Sequence, residues 1–437
     1  MSGFGTTPVL MFLTGAARAP LPPPRLGRLA SAPAMSATLL AAMLVAAPIP
    51  SLVCATALAS SSVVLERRID DISDVPAEAR LALFTAQQAR EQGDPDTAVN
   101  TLLAFLEGNP EDEHFLLHFH LAVGWNQRGD LEEALRSYRR SVELEPLFAQ
   151  GWLNLGELAY NMGLYAEAAD ALMKGYGVSE WKEPNVLFFS SAALVMDGRP
   201  AEAVPILERL VTGSDSTAKL EWHRALIMAH LELEDAENGT ASVERMLSQY
   251  PDDPEAWRLA FRYYASSGLY EDAAVSLTVA GYLRSLTRSE RMTLGDLYLA
   301  IGVPIQAGDY YESAVADSGS VADLERMASA HLSAYEYEQA FEVLNRALSL
   351  EPTARLWSLL GDLHFMQKDY QESYNSYSRC VEMDPQYERA YLMMGYCAMQ
   401  LQQTENALAA LSRAAEFPEQ ASKANQLIAA VRYYAGH

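Results

Sequence analysis

Residues 257–302 carry a pattern of large, polar and small positions that returns after about 34 residues. Three recurrences show it most clearly: Tyr264 with Tyr298, Gly268 with Gly302, and Ala273 with Ala307. A glycine turn with a large residue before it and a small residue after it is typical of a helix pair. The interval therefore predicts helix pairs that repeat along the chain.

The small residue near the start of the second helix can be followed through most of the sequence. Neighbouring helices approach closely at such a position, so small side chains are favoured there. The column holds Ala98, Ala134, Ala168, Ala203, Ala273, Ala307, Ala340 and Ala407, with Gly239 and Ser373 in the two intervening places. This spacing predicts ten repeats and an all-α fold.

Three further columns keep the same register. Large residues open the first helix, a glycine follows inside it, and a proline ends the second helix, because a residue without an N–H cannot continue it. The members are Trp152, Trp257, Trp357 and Tyr391; Gly156, Gly295, Gly361 and Gly395; and Pro110, Pro146, Pro251, Pro352 and Pro385. Together these columns resemble the tetratricopeptide repeat (TPR) over residues 79–418.

The resemblance implies a right-handed superhelical solenoid of about ten helix-turn-helix repeats, in which each repeat contacts only its neighbours. We expect residues 60–78 to be a linker into the first repeat. Residues 419–437 are expected to form a C-terminal capping helix and tail. A polar outer face is needed at the end of a solenoid, and it would be supplied by Lys423, Asn425, Gln426 and Arg432.

Residues 1–59 have the composition of a secretory signal. Three arginines precede the apolar run 37–59, and the segment contains no acidic residue. Its last three residues, Ala-Leu-Ala, fit a small-x-small cleavage site, which predicts cleavage after Ala59 and a periplasmic or otherwise exported protein. Two alternatives stay open: residues 37–59 remain as a membrane anchor, or the segment directs the chain to an organelle.

The chain is acidic, with a net charge of −25 from 32 basic and 57 acidic residues. Such a field repels phosphate backbones, so we expect no nucleic-acid partner. The acidity favours basic partner segments, although solubility alone also explains it. Cys380 and Cys397 lie on helices that should pack together, so either a disulfide bridge or two buried thiols fits the pattern in an oxidising compartment.

No catalytic motif of a known class occurs in the sequence, and we expect neither an enzyme, a cofactor, nor a small-molecule substrate. The densest cluster of metal-ligand residue types is His114, His118 and His120. The first two are four residues apart on a predicted helix, a spacing that could hold a metal ion. No further ligand pair follows, so we interpret all three as surface or packing residues.

The remaining candidate site is a surface. TPR proteins usually hold a peptide on the concave side, which the first helix of each repeat lines. The resemblance places a mixed apolar and amide face there, followed by arginines that would meet a partner carboxylate or pair with glutamates such as Glu221, Glu232 and Glu255. The candidate residues are Phe119, Asn126, Tyr160, Asn161, Phe188, Arg224, Arg258 and Arg262.

These features predict an exported scaffold or adaptor that binds a protein or peptide. A narrower resemblance, carried by the predicted signal, the uninterrupted array and the segment 294–315, is to periplasmic TPR proteins associated with TonB-type transport. It implies a membrane transport complex as the partner. Two alternatives remain: an assembly factor for outer-membrane or polysaccharide export machinery, and a subunit that selects substrates for an enzyme complex.

Overall fold

The computed structural model describes residues 75–213, 218–315 and 319–435. Within these ranges the regular structure consists of 21 α-helices and one short 3₁₀-helix, without a strand. The chain divides into two compact units after Ser285. We call the described residues up to Ser285 the N-terminal unit and those from Leu286 the C-terminal unit.

The N-terminal unit contains six helix pairs. Its helices are α1 (Ala77–Glu91), α2 (Pro95–Gly108), α3 (Phe115–Arg128), α4 (Leu131–Leu144), α5 (Ala149–Asn161), α6 (Tyr165–Val178), α7 (Pro184–Met196), α8 (Pro200–Thr212), α9 (Leu220–Glu232), α10 (Ala236–Gln249), α11 (Pro254–Ser266) and α12 (Tyr270–Leu283). The 3₁₀-helix, Pro110–Asp112, lies between α2 and α3.

The C-terminal unit contains four helix pairs and one final helix. Its helices are α13 (Arg288–Ala300), α14 (Pro304–Val315), α15 (Val321–Ser333), α16 (Tyr337–Leu350), α17 (Ala354–Met366), α18 (Tyr370–Met383), α19 (Glu388–Gln400), α20 (Thr404–Ala414) and α21 (Pro418–Ala435). We number the pairs as repeats 1 to 10 and call their first and second helices the A and B helices. The all-helical repeat fold is therefore confirmed.

The predicted column of small residues falls on one helix position throughout. Each of its ten members is the fourth residue of a B helix, and all ten are buried. Burial of a small side chain lets the A and B helices of a repeat pack closely. The prolines predicted to end B helices also fall as expected, because each lies two residues beyond its helix.

The glycine inside an A helix marks the closest approach to the B helix of the same repeat. A Cβ atom added at Gly156 would lie 2.6 Å from Leu172 Cγ, and one at Gly295 would lie 2.4 Å from Tyr311 Cε1. Real Cβ atoms do not come so close to other heavy atoms, so these positions require glycine in this packing.

All ten turns between A and B helices contain a residue with positive φ. Six turns use glycine, and four use Glu234, Tyr335, Lys368 and Gln402. The next residue donates its N–H to a carbonyl near the end of the A helix, as Leu269 does to Tyr264 at 2.8 Å. This is the bonding of a Schellman motif, and it satisfies carbonyls that the helix end would leave open.

The final helix, α21, packs on α20 and α19. Its four predicted polar residues, Lys423, Asn425, Gln426 and Arg432, are exposed. The predicted signal at residues 1–59 lies outside the described ranges, as does most of the linker. None of the helices within those ranges combines the length and the apolar character that crossing a membrane requires.

Candidate partner-binding face

The last turns of three successive A helices in the N-terminal unit carry a polar surface. Asn126 and Gln127 lie there on α3, Tyr160 and Asn161 on α5, and Met196 on α7. Equivalent positions of stacked repeats lie beside one another, so these side chains form one continuous surface. We call these five residues the amide face. Four of them are exposed, and Tyr160 is half-buried.

Three amide side chains of this face are available to a partner. Within the described residues, the side chains of Asn126, Gln127 and Asn161 form no hydrogen bond with the protein. Each amide offers a donor group and an acceptor group, the same pair that a peptide backbone presents. The amide face can therefore bond an extended chain without breaking an internal contact.

Phe119 and Phe188 lie on two of the same A helices, about two turns before the amide face. Only 4% of Phe119 and 8% of Phe188 is exposed. The Phe119 ring packs against Phe148 at 5.1 Å between centroids, and the Phe188 ring packs against Phe189 at 5.2 Å. The two phenylalanines were candidate contact residues from the sequence, but the structure places them in the core of the repeats. They fix the A helices and offer little surface.

The three candidate arginines do not share one environment. Arg258 is only 6% exposed, and its Nη1 lies 3.5 Å from Oε1 of Glu255. Arg284 donates to the same glutamate oxygen at 2.6 Å. Arg258 thus has the internal partner that the sequence analysis gave as the alternative to a partner carboxylate.

Arg262 is exposed and Arg224 is partly exposed. Neither forms an ion pair with a described residue. These two arginines are therefore the members of the set that remain open to a carboxylate of a partner. Their role stays a prediction.

Glu157 is a further candidate residue, which the sequence analysis did not single out. It lies one helical turn before Asn161 on α5 and is half-buried. No described residue forms a hydrogen bond or an ion pair with its carboxylate. Burial raises the pKa of Glu157 above its ordinary value, because the charged form loses hydration without gaining a partner.

The charge of the Glu157 carboxylate acts on Tyr138. Burial raises the pKa of Tyr138, and the charge of Glu157 adds to the increase. Asn154 Nδ2 donates to the Tyr138 hydroxyl at 3.4 Å. The Tyr138 hydroxyl accepts this bond, and it forms no hydrogen bond with Glu157.

In the C-terminal unit, two arginines of the A helices are bonded to other residues of the unit. Arg389 donates to both carboxylate oxygens of Asp362, at 2.6 and 3.0 Å, and Tyr377 donates to the same carboxylate at 2.5 Å. Arg355 donates to Glu325 at 3.2 Å and to the Tyr387 hydroxyl at 3.3 Å. These arginines stabilise the repeats internally.

The histidine cluster is divided among separate structural contacts. His114 caps α3 by accepting the Leu116 N–H at 3.3 Å, and His118 Nε2 lies 2.8 Å from a Glu113 oxygen. His120 Nδ1 lies 3.0 Å from Nη1 of Arg90. Since arginine only donates, this nitrogen of His120 is the acceptor and carries no proton.

Within the described ranges, no three metal-ligating side chains converge on one point. The two cysteines in these ranges are buried free thiols, and Cys397 Sγ lies 3.2 Å from the Ser373 hydroxyl. Burial raises the pKa of Cys380 to about 12 and that of Cys397 to about 11. Of the two arrangements that fit the sequence, a disulfide or two buried thiols, the structure has the two buried thiols.

Ten pairs of packed helices, with Schellman turns and small residues at the helix contacts, define a helical-repeat protein. A family model described as Tetratricopeptide repeat matches residues 85–135, 127–176 and 325–386, and a second model with the same description matches residues 364–431. The matched segments of the chain are tetratricopeptide repeats. Neither matching model describes an enzyme.

Several known proteins share parts of this pattern. The chain is 29% identical over 109 residues to the peroxisomal targeting signal receptor of Kluyveromyces lactis, a match that covers 25% of this chain and 19% of the receptor. It is 19% identical over 299 residues to a DnaJ homolog subfamily C member 7 homolog of Dictyostelium discoideum, covering 64% of this chain and 51% of that protein.

Among solved structures, a tetratricopeptide repeat protein from Parabacteroides merdae aligns with 73% of this chain and 98% of its own, at 14% identity and a TM-score of 0.33. The chain spans about a fifth of the length of the peroxisomal receptors that it matches. The likeness therefore concerns only a small part of each receptor.

Proposed function

We propose that the protein is an interaction scaffold and that its amide face binds an extended segment of a partner protein. The observation that carries this proposal is the set of three exposed amide side chains without internal partners on consecutive A helices. Amides bond a peptide backbone in any sequence, while Tyr160 and Met196 add apolar contact area. Packing of Phe119 and Phe188 fixes two of the A helices that carry this surface, which lowers the entropic cost of binding.

The relatives support the coarser part of this proposal. The peroxisomal receptors are named for a targeting signal, and such a signal is a segment of another protein. Their match covers about a fifth of each receptor, so we take from it only a general role in protein binding.

A displayed library of short random peptides, selected on the full chain, tests the binding face. We expect enrichment on the wild type and its loss on the double variant Asn126→Ala/Asn161→Ala. The matched control is Asn425→Ala/Gln426→Ala, which removes two exposed amides from α21 and should select the same peptides. Equal selection by all three proteins would place binding elsewhere, and no enrichment on the wild type would overturn the scaffold proposal.

We propose further that the chain acts after export, as an accessory component of a TonB-type transport system. The support is in the sequence: the basic and apolar segment 1–59 and the array that follows it. Intact-mass analysis of the protein from its native membrane fractions should find an N-terminus at Ser60. Retention of residues 1–59 would contradict cleavage and favour the anchored or organelle-targeted alternative.

Co-purification from the same fractions tests the partner. A membrane transport component that is recovered with the wild type and lost with Asn126→Ala/Asn161→Ala would support the transport proposal. Recovery of outer-membrane or polysaccharide-export assembly proteins, or of a catalytic subunit, would replace it by one of the two alternatives.

A further inference from the structure

Glu157 occupies a helix position that carries a carboxylate in three repeats. Glu157 is the ninth residue of α5, Asp296 the ninth of α13 and Asp362 the ninth of α17. Each directly follows the glycine at which the A helix packs on its B helix. The backbone setting of the three carboxylates is therefore the same, and only their side-chain surroundings differ.

In repeats 7 and 9 the carboxylate is satisfied within the protein. Tyr311 donates to Asp296 at 2.7 Å, and Arg326 on the next A helix donates to it at 3.3 Å. Asp362 accepts from Tyr377 and, through two bonds, from Arg389. Each of these carboxylates thus has one hydroxyl from its own B helix and one guanidinium from the following A helix.

Repeat 3 has neither type of partner. Leu172 is the eighth residue of α6, where Tyr311 and Tyr377 are the eighth residues of α14 and α18. On the following A helix, α7, the positions of Arg326 and Arg389 are taken by Phe189 and Asn185. Asn185 forms no hydrogen bond with Glu157, and its Oδ1 accepts from Lys219 Nζ at 2.9 Å.

A half-buried carboxylate without a hydrogen bond or an ion pair is unfavourable. In repeats 7 and 9 the carboxylate at this position is paired with a guanidinium from the next A helix. The same kind of group would satisfy Glu157. The place left open beside Glu157 adjoins Tyr160 and Asn161 of the amide face. The net charge of −25 favours a cationic occupant as well.

We propose that Glu157 accepts a lysine or arginine side chain of the segment that binds the amide face, so that this protein selects partner segments with a basic residue at one fixed place. This inference rests on the proposed binding function and adds the chemistry of the partner to it. A charge-assisted hydrogen bond in a partly dehydrated site is stronger than one in water. The amides would hold the partner backbone in any sequence, and Glu157 would supply the choice among sequences.

The displayed peptide library tests this selection. Peptides enriched on the wild type should share a lysine or arginine at one position, and this preference should disappear on Glu157→Gln. The control Glu107→Gln makes the same change of charge at an exposed residue of α2 and should keep the preference. For one selected peptide, we expect the dissociation constant to rise about tenfold on Glu157→Gln.

A double-mutant cycle separates direct pairing from a general loss of charge. Replacement of the basic residue of the peptide by methionine should weaken binding to the wild type about tenfold and have little effect on binding to Glu157→Gln. Additive losses would overturn the direct contact. Loss of the preference on Glu107→Gln as well would assign it to the acidic field of the whole chain and also overturn the proposal.

The outcomes also distinguish this inference from the proposed function. Enriched peptides without a basic preference, lost on Asn126→Ala/Asn161→Ala, would retain the amide face and exclude the role of Glu157. A wild type that enriches no peptide would remove both proposals together.

Discussion

The N-terminal and C-terminal units place a carboxylate at the same helix position and surround it differently. In the C-terminal unit, Asp296 and Asp362 each bond a tyrosine and an arginine of neighbouring helices. In the N-terminal unit, Glu157 has none of these contacts within the described residues. The same backbone position therefore serves internal stability in one unit and remains open in the other.

This difference shows how one helix position of a repeat can have different surroundings in different repeats. The repeat fixes the helix packing through small residues and turns, so the A-helix positions outside these contacts are free to vary. Where the B helix of the same repeat supplies a tyrosine and the next A helix an arginine, the carboxylate is bonded within the fold. Where these helices carry Leu172 and Phe189 instead, the carboxylate has no such partner among the described residues.

The largest expected effect is at Asp362. This residue is only 5% exposed, and Asp362→Ala leaves Arg389 without its carboxylate and the buried Tyr377 hydroxyl without its acceptor. Loss of one member of a buried pair is costly, and we expect the free energy of unfolding of the C-terminal unit to fall by about 3 kcal/mol. Urea denaturation followed by hydrogen exchange in α17–α19 measures it.

Asp309→Ala is the matched control, because Asp309 is exposed on α14 and has no ion pair in the described residues. It should change the free energy of unfolding by less than about 0.5 kcal/mol. Equal effects of the two substitutions would show that the Asp362 network contributes little stability.

Acid should weaken the N-terminal unit through His120. Burial, followed by the charge of Arg90, lowers the pKa of His120 from 6.5 to about 4. The unfolded chain therefore binds a proton that the folded chain does not bind between these pH values. The contribution of His120 to the free energy of unfolding is complete above pH 6.5. It is lost as the pH drops towards 4, by up to about 3 kcal/mol.

Hydrogen exchange in α3 at a series of pH values checks this expectation. The variant His120→Gln removes the titration, so its stability should depend less on pH in this window than that of the wild type. An unchanged pH dependence would assign the acid effect to other groups, of which His118 and His223 also have a pKa lowered by burial.

The turns offer a third comparison between the units. Five of the six described turns of the N-terminal unit use glycine at positive φ, while three of the four in the C-terminal unit use Tyr335, Lys368 and Gln402. A side chain in this region is strained by about 1–2 kcal/mol. Gly268→Ala should therefore destabilise its unit by about 1 kcal/mol, and Lys368→Gly should stabilise its unit by up to about 1 kcal/mol.

Thermal unfolding of the two variants beside the wild type measures these opposite shifts. Gly108→Ala is a suitable control, since Gly108 has no positive φ and an added Cβ would meet no atom within 4 Å. A lower melting temperature for Lys368→Gly would mean that other contacts of the lysine outweigh the strain.

Much of the fold could be predicted from the sequence because the same packing requirement recurs at equivalent positions of ten repeats. Ala98 and its nine equivalents mark one contact between helices, and glycine marks six of the turns. The other four turns gave no such signal, since Glu234 or Lys368 has no preference for positive φ. There the register of the neighbouring repeats was needed to place the turn.

The candidate site was predicted less completely. Register alone placed Phe119 and Arg258 on the A helices, but it could not tell that one is buried and that the other pairs with Glu255, since burial depends on helices distant in sequence. Glu157 was missed because a lone acidic residue on a helix is typical of a solvated face. Comparison of Leu-Gly-Glu at 155–157 with Leu-Gly-Asp at 294–296 and 360–362 would have identified the shared position.

The smallest and most discriminating prediction is the sign of the effect at Glu157. Since the pKa of Glu157 is raised by burial, the folded chain holds its proton more tightly than the unfolded chain. The ionised carboxylate therefore destabilises the N-terminal unit above the folded pKa, and this effect disappears as the pH falls below the ordinary glutamate value near 4. At pH 7, Glu157→Gln should raise the free energy of unfolding by less than about 1 kcal/mol. Near pH 4 the two proteins should be equally stable.

Asp362→Ala should act in the opposite direction at pH 7, although both substitutions remove a carboxylate from the same helix position. Urea denaturation of both variants at the two pH values gives this comparison directly. A loss of stability in Glu157→Gln at pH 7 would reveal an internal partner for this carboxylate and would remove the reason for expecting an external one.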